Sequence, residues 1–423
     1  MLRKADPTAV LPGLEAVSGT PVAELADLLP GLVAVRRDLH AHPELAFQEH
    51  RTAAIVARIL RDIGLEVHQG IGGTGVVGVL RNGSGARCVG LRADMDALPM
   101  TEEGAHAHTS TIAGVHHGCG HDGHTAMLLG AARQLARTRR FDGTVHFIFQ
   151  PAEEGRGGAR AMVEDGLFER FPCDAVYALH NWPDLPLGAA QTRAGPIMAA
   201  ADRFKLVVRG RGGHAAQPHR TPDAILAAAD LVTQLHTIVS RRIEPHATAV
   251  LSVTRIVSGH SHNVLPASVE LTGTVRSFDP TVQSAVEAAL RQIAQGVGCA
   301  SGTEVEVDYV RYYPATINSA AEAQQALAAA RAVGLQAAMA PHPAFTAEDF
   351  AFMLRERPGA YLWLGQGRSR GDDPPLHHPS YDFNDDALGL GVAWFVAVAE
   401  QTLAVGAKAG ESQVETGAFR DGR

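Results

Sequence analysis

The chain has 423 residues, 46% of them hydrophobic, and a formal charge of −8. That length exceeds the ~250–300 residues at which single cores usually divide, so two domains are expected. Lys and Arg are scattered without a basic run, which argues against nucleic acid as a partner, and the four cysteines (Cys88, Cys119, Cys173, Cys299) do not look like a disulfide framework.

At the N-terminus Arg3 and Lys4 precede Asp6, Pro7 and Pro12, with no apolar core of signal-peptide length. No stretch approaches the ~20 apolar residues of a membrane span, so a cytoplasmic location is expected. His40 and His42 lie on a helix-like segment, where capping or packing reads as well as chemistry. Residues 70–75 fit GxGxxG, yet they precede a strand-like run and open no helix, the wrong context for a dinucleotide site. Residues 88–93 read as a strand that delivers Asp94 and Asp96.

The run Gly118-Cys119-Gly120-His121-Asp122-Gly123-His124 packs a thiol, a carboxylate and two imidazoles into glycine-rich backbone. Such donors suit zinc and its neighbours, and the glycines let them converge; buried polar filler is the alternative. A structural zinc module would hold four ligands locally, so further ligands must come from distant segments, as in catalytic sites. Residues 144–150 read as a buried strand ending at Glu153 and Glu154, and residues 174–179 as another ending at His180. Open α/β sheets bind ligands beyond the carboxyl ends of their strands, so these tips are expected to line one crevice. Taken alone, the glutamates read as a solvated pair and His180 as a core histidine.

From residue 201 to 313 the pattern is strand (204–208), helix (222–242), two strands (248–257, 267–278), helix (280–297) and strand (304–312). That β-α-β-β-α-β order is ferredoxin-like. Residues 376–379 then return with His377 and His378. The expected fold is α/β: a discontinuous domain with a mixed sheet flanked by helices (1–200 and 314–423), and an inserted α+β domain (201–313). His116, His117, His260 and His262 are expected at the periphery. The tail after about Gly406 reads as frayed. GxSxG and GxxxxGK[ST] are both missing, so serine-hydrolase and nucleotide-driven readings lack support.

Seven separated motifs resemble the M20 peptidase family, in its aminoacylase, hippurate hydrolase and auxin-conjugate hydrolase branch. They are Leu39-His40-Ala41-His42-Pro43-Glu44-Leu45, Arg92-Ala93-Asp94-Met95-Asp96-Ala97-Leu98-Pro99, the Gly118 to His124 run, Gln150-Pro151-Ala152-Glu153-Glu154-Gly155, Gly213-His214-Ala215-Ala216-Gln217-Pro218-His219, Asn263-Val264-Leu265-Pro266 and Glu348-Asp349-Phe350. The resemblance implies two divalent ions (Zn, Mn, Co or Ni), with Cys119 bridging, His121 and His180 on one, and Glu154 and His377 on the other. His378 is the competing ligand to His377. Glu153 would be general base and then acid, acting on water that a divalent ion brings to a pKa of about 7.

The resemblance further makes the insert a lid and dimerisation domain. His214 would stabilise the oxyanion, in many relatives at the partner subunit's site, while Asn263 and Arg276 would bind a substrate carboxylate. A structural salt bridge is the rival role for Arg276. Asp96 and Glu348 would support the site from behind, and Asp94, Asp122 and His124 stand as its neighbours. Phe345-Thr346-Ala347 departs from the Met-Gly of many relatives, which bears on pocket shape. The implied reaction is amide hydrolysis of N-acyl amino acids such as hippurate or N-acetyl amino acids, by a homodimer or homotetramer without nucleic-acid or membrane partners. The alternatives are a dipeptidase, a deacetylase of N-acetyl-diamino acids, or a silent binder of acyl-amino acids or metal.

Overall fold

In the computed structural model, which describes residues 21–368 and 373–404, strands rich in Val, Ile, Leu and Phe build a sheet covered on both faces. The hairpin of β1 (Glu66–Ile71) and β2 (Gly75–Asn82) turns through the 70–75 glycines and is followed by β3 (Cys88–Asp94), β4 (Gly143–Gln150), β5 (Ala175–Pro186) and β6 (Ala189–Thr192). The short β7 (Gly195–Met198) leads into β8 (Ala200–Arg209), β9 (Gly213–His214), β10 (Ala249–Val257), β11 (Val264–Leu265), β12 (Ser268–Ser277) and β13 (Glu304–Tyr313). The chain then returns through β14 (Thr316–Asn318), β15 (Gln336–Met339) and β16 (Gly359–Gly367).

The larger sheet has eight strands in the order β1-β2-β4-β3-β5-β16-β6-β15. Its centre is parallel, with β3 against β4 and β5, and β5 against β16, while β1, β2 and β6 join antiparallel. The alternation of strand side chains sorts β2 between the faces. Val76 and Leu80 enter a core with the helices Leu29–Ala41, His50–Asp62, His121–Thr138, Ala320–Ala332 and Leu388–Thr402. Val77 and Val79 enter a second core with Met162, Phe168, Phe350 and Tyr361.

The second sheet has four antiparallel strands in the order β10-β12-β8-β13, the ferredoxin-like arrangement expected from sequence. Phe204, Leu206 and Val208 alternate on β8 and pack with Leu231, Leu235, Leu290 and Ile293 of the helices Ala224–Leu235 and Pro280–Ser301, forming a separate core. Asp223 and Asp279 cap those helices by accepting N–H bonds from their first turns. The first helix is shorter than its pattern, because residues 238–242 wind as a π turn. No helix among the described residues is long and apolar enough to cross a membrane. The expectations for the first twenty residues and for the tail after Gly406 lie outside the described residues.

Candidate active site

Because β4, β3 and β5 are parallel neighbours, their carboxyl ends share one sheet edge. Beyond β4 the chain turns through Ala152 at φ 54° and delivers Glu153 and Glu154. The loop with Cys119 reaches the same edge through Gly120 (φ 89°), where a Cβ would stand 2.6 Å from both Asn181 Oδ1 and Tyr381 Oη. His121 opens the following helix. His180 does not follow the end of its strand as expected: β5 continues to Pro186. It pairs with β3 only as far as Ala178, so the edge at His180 has come free on that side. His377 (φ 64°) is tied to the Cys119 loop by its N–H, which donates to the Gly118 carbonyl at 2.8 Å. His378 is exposed, and its Nδ1 accepts the Ser380 N–H at 3.1 Å.

Two sets of three donors share one sulfur, Cys119–His121–His180 and Cys119–Glu154–His377, with ligand atoms in each within 4.8 Å of one another. Cys119 Sγ lies 3.4 Å from His180 Nε2, and Glu154 Oε1 lies 3.2 Å from His377 Nε2 and 4.0 Å from His121 Nε2. Both inner imidazoles are oriented by backbone: His121 Nδ1 donates to the Asp96 carbonyl at 2.9 Å and His180 Nδ1 to the Asn181 carbonyl at 2.7 Å. Each Nε2 is thereby turned toward the sulfur. His121 Nε2 and Glu154 Oε1 are buried without a hydrogen-bond partner. Orphaned, convergent N, O and S donors of this kind fit divalent cations.

The local fields point the same way. Burial works against a proton on His121, but Asp94, Asp96 and Glu154 outweigh it and push its pKa up to about 10, so positive charge is favoured there. Burial, with His124 nearby, holds His180 well below the usual histidine range, leaving it a neutral donor. The two adjacent glutamates part company. Burial, reinforced by Glu348, Glu154 and Asp349, drives Glu153 well above the carboxylate range. Partial burial works the same way on Glu154, yet His377 and His121 bring it below its ordinary value. Carboxyls pushed apart in this way suit different roles, one to move a proton and one to hold a cation.

Behind the donors, the fully buried Arg92 donates to Gln150 Oε1 (2.7 Å), Asp94 Oδ2 (2.8 Å), Glu348 Oε1 (2.8 Å) and Asp349 Oδ1 (3.2 Å). Glu348 also accepts from the Tyr361 hydroxyl at 2.5 Å and the Phe350 N–H at 2.9 Å. The Asp96 carboxylate accepts the N–H groups of Glu153 and Glu154, both at 2.9 Å, so it orients the loop, while its carbonyl orients His121. Asp94 pairs with His124 at 2.6 Å, and Asp122 pairs with His40 at 2.8 Å and Arg36 at 3.4 Å. His116 and His117 are buried rather than peripheral, because their loop passes beneath the helix Leu29–Ala41 and the 381 region.

A cavity of about 410 Å³ opens over this edge, and Cys119, Glu153, Glu154, His180, Arg276, Glu348 and His377 line it. Thr346 and Ala347, where the motif departs from its relatives, are on its wall, with Trp182, Met198, Tyr312 and Leu376. Arg276 donates to Thr274 Oγ1 and to the Val275 carbonyl and makes no salt bridge among the described residues. His214 and Asn263 are brought together instead on the exposed β9–β11 ladder, outside the cavity lining. Sequence reading missed Arg92, Trp182 and Tyr313. A charge inside an apolar strand marked Arg92, whereas no local pattern distinguishes Trp182 or Tyr313 from core aromatics.

The model of peptidase family M20/M25/M40 matches residues 90–401. The chain is 38% identical over 384 residues to the hippurate hydrolase of Campylobacter jejuni, covering 90% of this chain and 99% of that one. It is 37% identical over 370 residues to an N-acetylcysteine deacetylase of Bacillus subtilis (87% and 96% covered). Its structure is similar to that of a dinuclear metal-binding M20 peptidase of Bacillus subtilis, with TM-score 0.78, 34% identity, and 89% and 99% of the two chains covered.

Proposed function

Because the chain belongs to peptidase family M20 and is a metal-dependent amidohydrolase, we propose that it cleaves the amide bond of N-acyl amino acids, releasing a carboxylic acid and a free amino acid. The observation that carries this reading is the pair of donor sets sharing Cys119 beside Glu153, a carboxyl that neither set uses. In the reading, His121 and His180 would hold one divalent ion and Glu154 and His377 another, with Cys119 a donor common to both sets. Zinc, manganese, cobalt and nickel all suit these donors. Such ions, when bound, polarise the amide carbonyl and acidify water.

The chain's own groups do the rest. Glu153 takes the proton of the attacking water on its carboxylate and returns it to the amide nitrogen as the C–N bond breaks. Arg276, which makes no salt bridge among the described residues, is assigned to the carboxylate of the amino-acid moiety. The acidic residues lining the cavity are Glu153, Glu154 and Glu348, and Glu348 is occupied by Arg92 and Tyr361. With no carboxylate left among the described lining residues to hold a free α-amino group, N-acyl amino acids are favoured over dipeptides.

The reading takes residues 1–200 and 314–423 as the catalytic domain and 201–313 as a lid that joins copies of the chain. His214, for the oxyanion, and Asn263, for the substrate, would then serve a partner's cavity, which accounts for their distance from their own. Four free cysteines support a reducing, cytoplasmic setting. The test is Glu153→Gln in metal-loaded protein, assayed for amine release from N-benzoyl, N-acetyl and indole-acetyl amino acids beside plain dipeptides. Metal content should be kept while turnover falls by about 10²–10⁴-fold. Near-normal turnover would overturn the mechanism, and a wild type that binds metal but cleaves no member of the panel would favour a silent binder.

A further inference from the structure

The loop that carries Glu153 is held from an unexpected direction. It is not helical: Ala152 (φ 54°), Gly155 (φ 73°) and Gly157 (φ 72°) are left-handed, and Glu154 has ψ 76°, so regular helical bonds do not fix it. On one side the Asp96 carboxylate accepts the N–H groups of Glu153 and Glu154. On the other, the Tyr313 hydroxyl donates to the Glu153 carbonyl at 2.6 Å and accepts the Gly157 N–H at 3.0 Å. One hydroxyl thus bridges both ends of the segment that contains the two glutamates.

Tyr313 gets there through an irregularity in β13. The register against β8 shifts between Arg311 and Tyr313, where two residues of β13 face one of β8. Neighbours in a strand ordinarily point to opposite faces, but here the rings of Tyr312 and Tyr313 stack at 4.6 Å and 8°. Both tyrosines line the cavity, and Tyr313 is buried, edge-on to Phe352 at 6.0 Å.

We propose that Tyr313 is a positioning residue for Glu153: its hydroxyl clamps the Glu153 carbonyl and the Gly157 amide, aims the Glu153 carboxylate into the cavity, and makes correct seating of β13 a condition for turnover. The inference rests on Glu153 being the proton carrier. It reaches beyond that assignment because it ties the base to the last strand of the smaller sheet. A misplacement of about 1 Å at a reacting group can cost about 100-fold in rate, so losing the clamp without losing the fold should be visible in turnover.

The test compares full-length, metal-loaded wild type, Tyr313→Phe, Glu153→Asp, the double variant and Glu153→Gln, on whichever N-acyl amino acid of the panel the wild type cleaves fastest. kcat, KM, metal content and melting temperature are measured for each. Tyr313→Phe should lower kcat about 10- to 100-fold, with KM within about two-fold and metal content unchanged. In the Glu153→Asp background, where the carboxyl is already displaced, the same change should cost less than about three-fold. A kcat within about two-fold of wild type, even with a lowered melting temperature, would make Tyr313 merely structural and overturn the proposal. Equal losses in both backgrounds would overturn it too, by showing that Tyr313 acts independently of Glu153. If Glu153→Gln stays active, the base assignment itself fails, whereas an inactive Glu153→Gln beside a normal Tyr313→Phe removes only the clamp.

Discussion

Arg92→Met tests whether the buried cation under the site holds it together. The change keeps much of the side-chain length but removes four donated bonds, to Gln150, Asp94, Glu348 and Asp349. Three buried carboxylates are then left without their shared countercharge. Breaking a buried ion pair from one side costs about 3–5 kcal/mol. Unfolding entropy is about 2.1 cal/mol/K per residue, or ~0.8 kcal/mol/K for the ~380 described residues, so the melting temperature should fall by about 4–6 °C. The cost should also depend on pH. Burial already raises Asp349 and Arg92 works against that rise, so without Arg92 its folded-state pKa climbs further above the unfolded value, the native state binds more protons and stability falls as pH rises, by up to about 1.4 kcal/mol per unit. Scanning calorimetry of metal-depleted protein at pH 6 and pH 8 reads both effects. A shift under about 1 °C at both values would refute the idea that Arg92 neutralises this cluster.

His377→Ala should separate metal binding from folding. The His377 ring is half exposed and faces Glu154, so the metal-free melting temperature should barely move, while bound metal drops from about two ions to about one and activity is lost. Mass spectrometry of metal content decides this, and two retained ions would remove His377 from the ligand set. His40 gives a pH signature. Burial disfavours its charged form, but Asp122 and Glu102 outweigh burial and raise its pKa to about 9. Stability from a raised histidine is complete below its unfolded pKa of about 6.5 and lost as pH rises through about 9, so the wild-type melting temperature should decline across that window. His40→Gln should flatten the decline; parallel curves would show that the ring is not the titrating group.

Much of this architecture was legible in the sequence because it rests on short-range rules. Apolar runs bounded by turns located β3 and β4 almost to the residue, and the helical patterns at 222–242 and 280–297 fall on the two helices of the smaller sheet. The limits of sequence reading were set by tertiary pairing. Whether β5 ends at Leu179 or runs to Pro186 depends on β16 and on where β3 stops, which no local pattern reports. That the His377 ring faces Glu154 rests on one backbone bond to Gly118 and one positive φ. The bulge that swings Tyr313 onto the Glu153 loop is likewise a register event, invisible in a run that reads as plain strand.

The position of β16 has a consequence for the order of synthesis. It is the last strand made among the described residues, yet it lies between β5 and β6, near the middle of the larger sheet. A ribosome that has finished β5 must add roughly 180 more residues before that partner exists, about 10–40 s at 5–20 residues per second. Through that interval the smaller sheet, which lies wholly between the two in the chain, can complete its own core, while the free edge of β5 with His180 upon it stays unpaired and in need of shielding. In the proposed reading the donor set is complete only once His377 has emerged, so a nascent chain would stay inactive until then, and a chain truncated before Gly359 would leave the β5 edge open to aggregation.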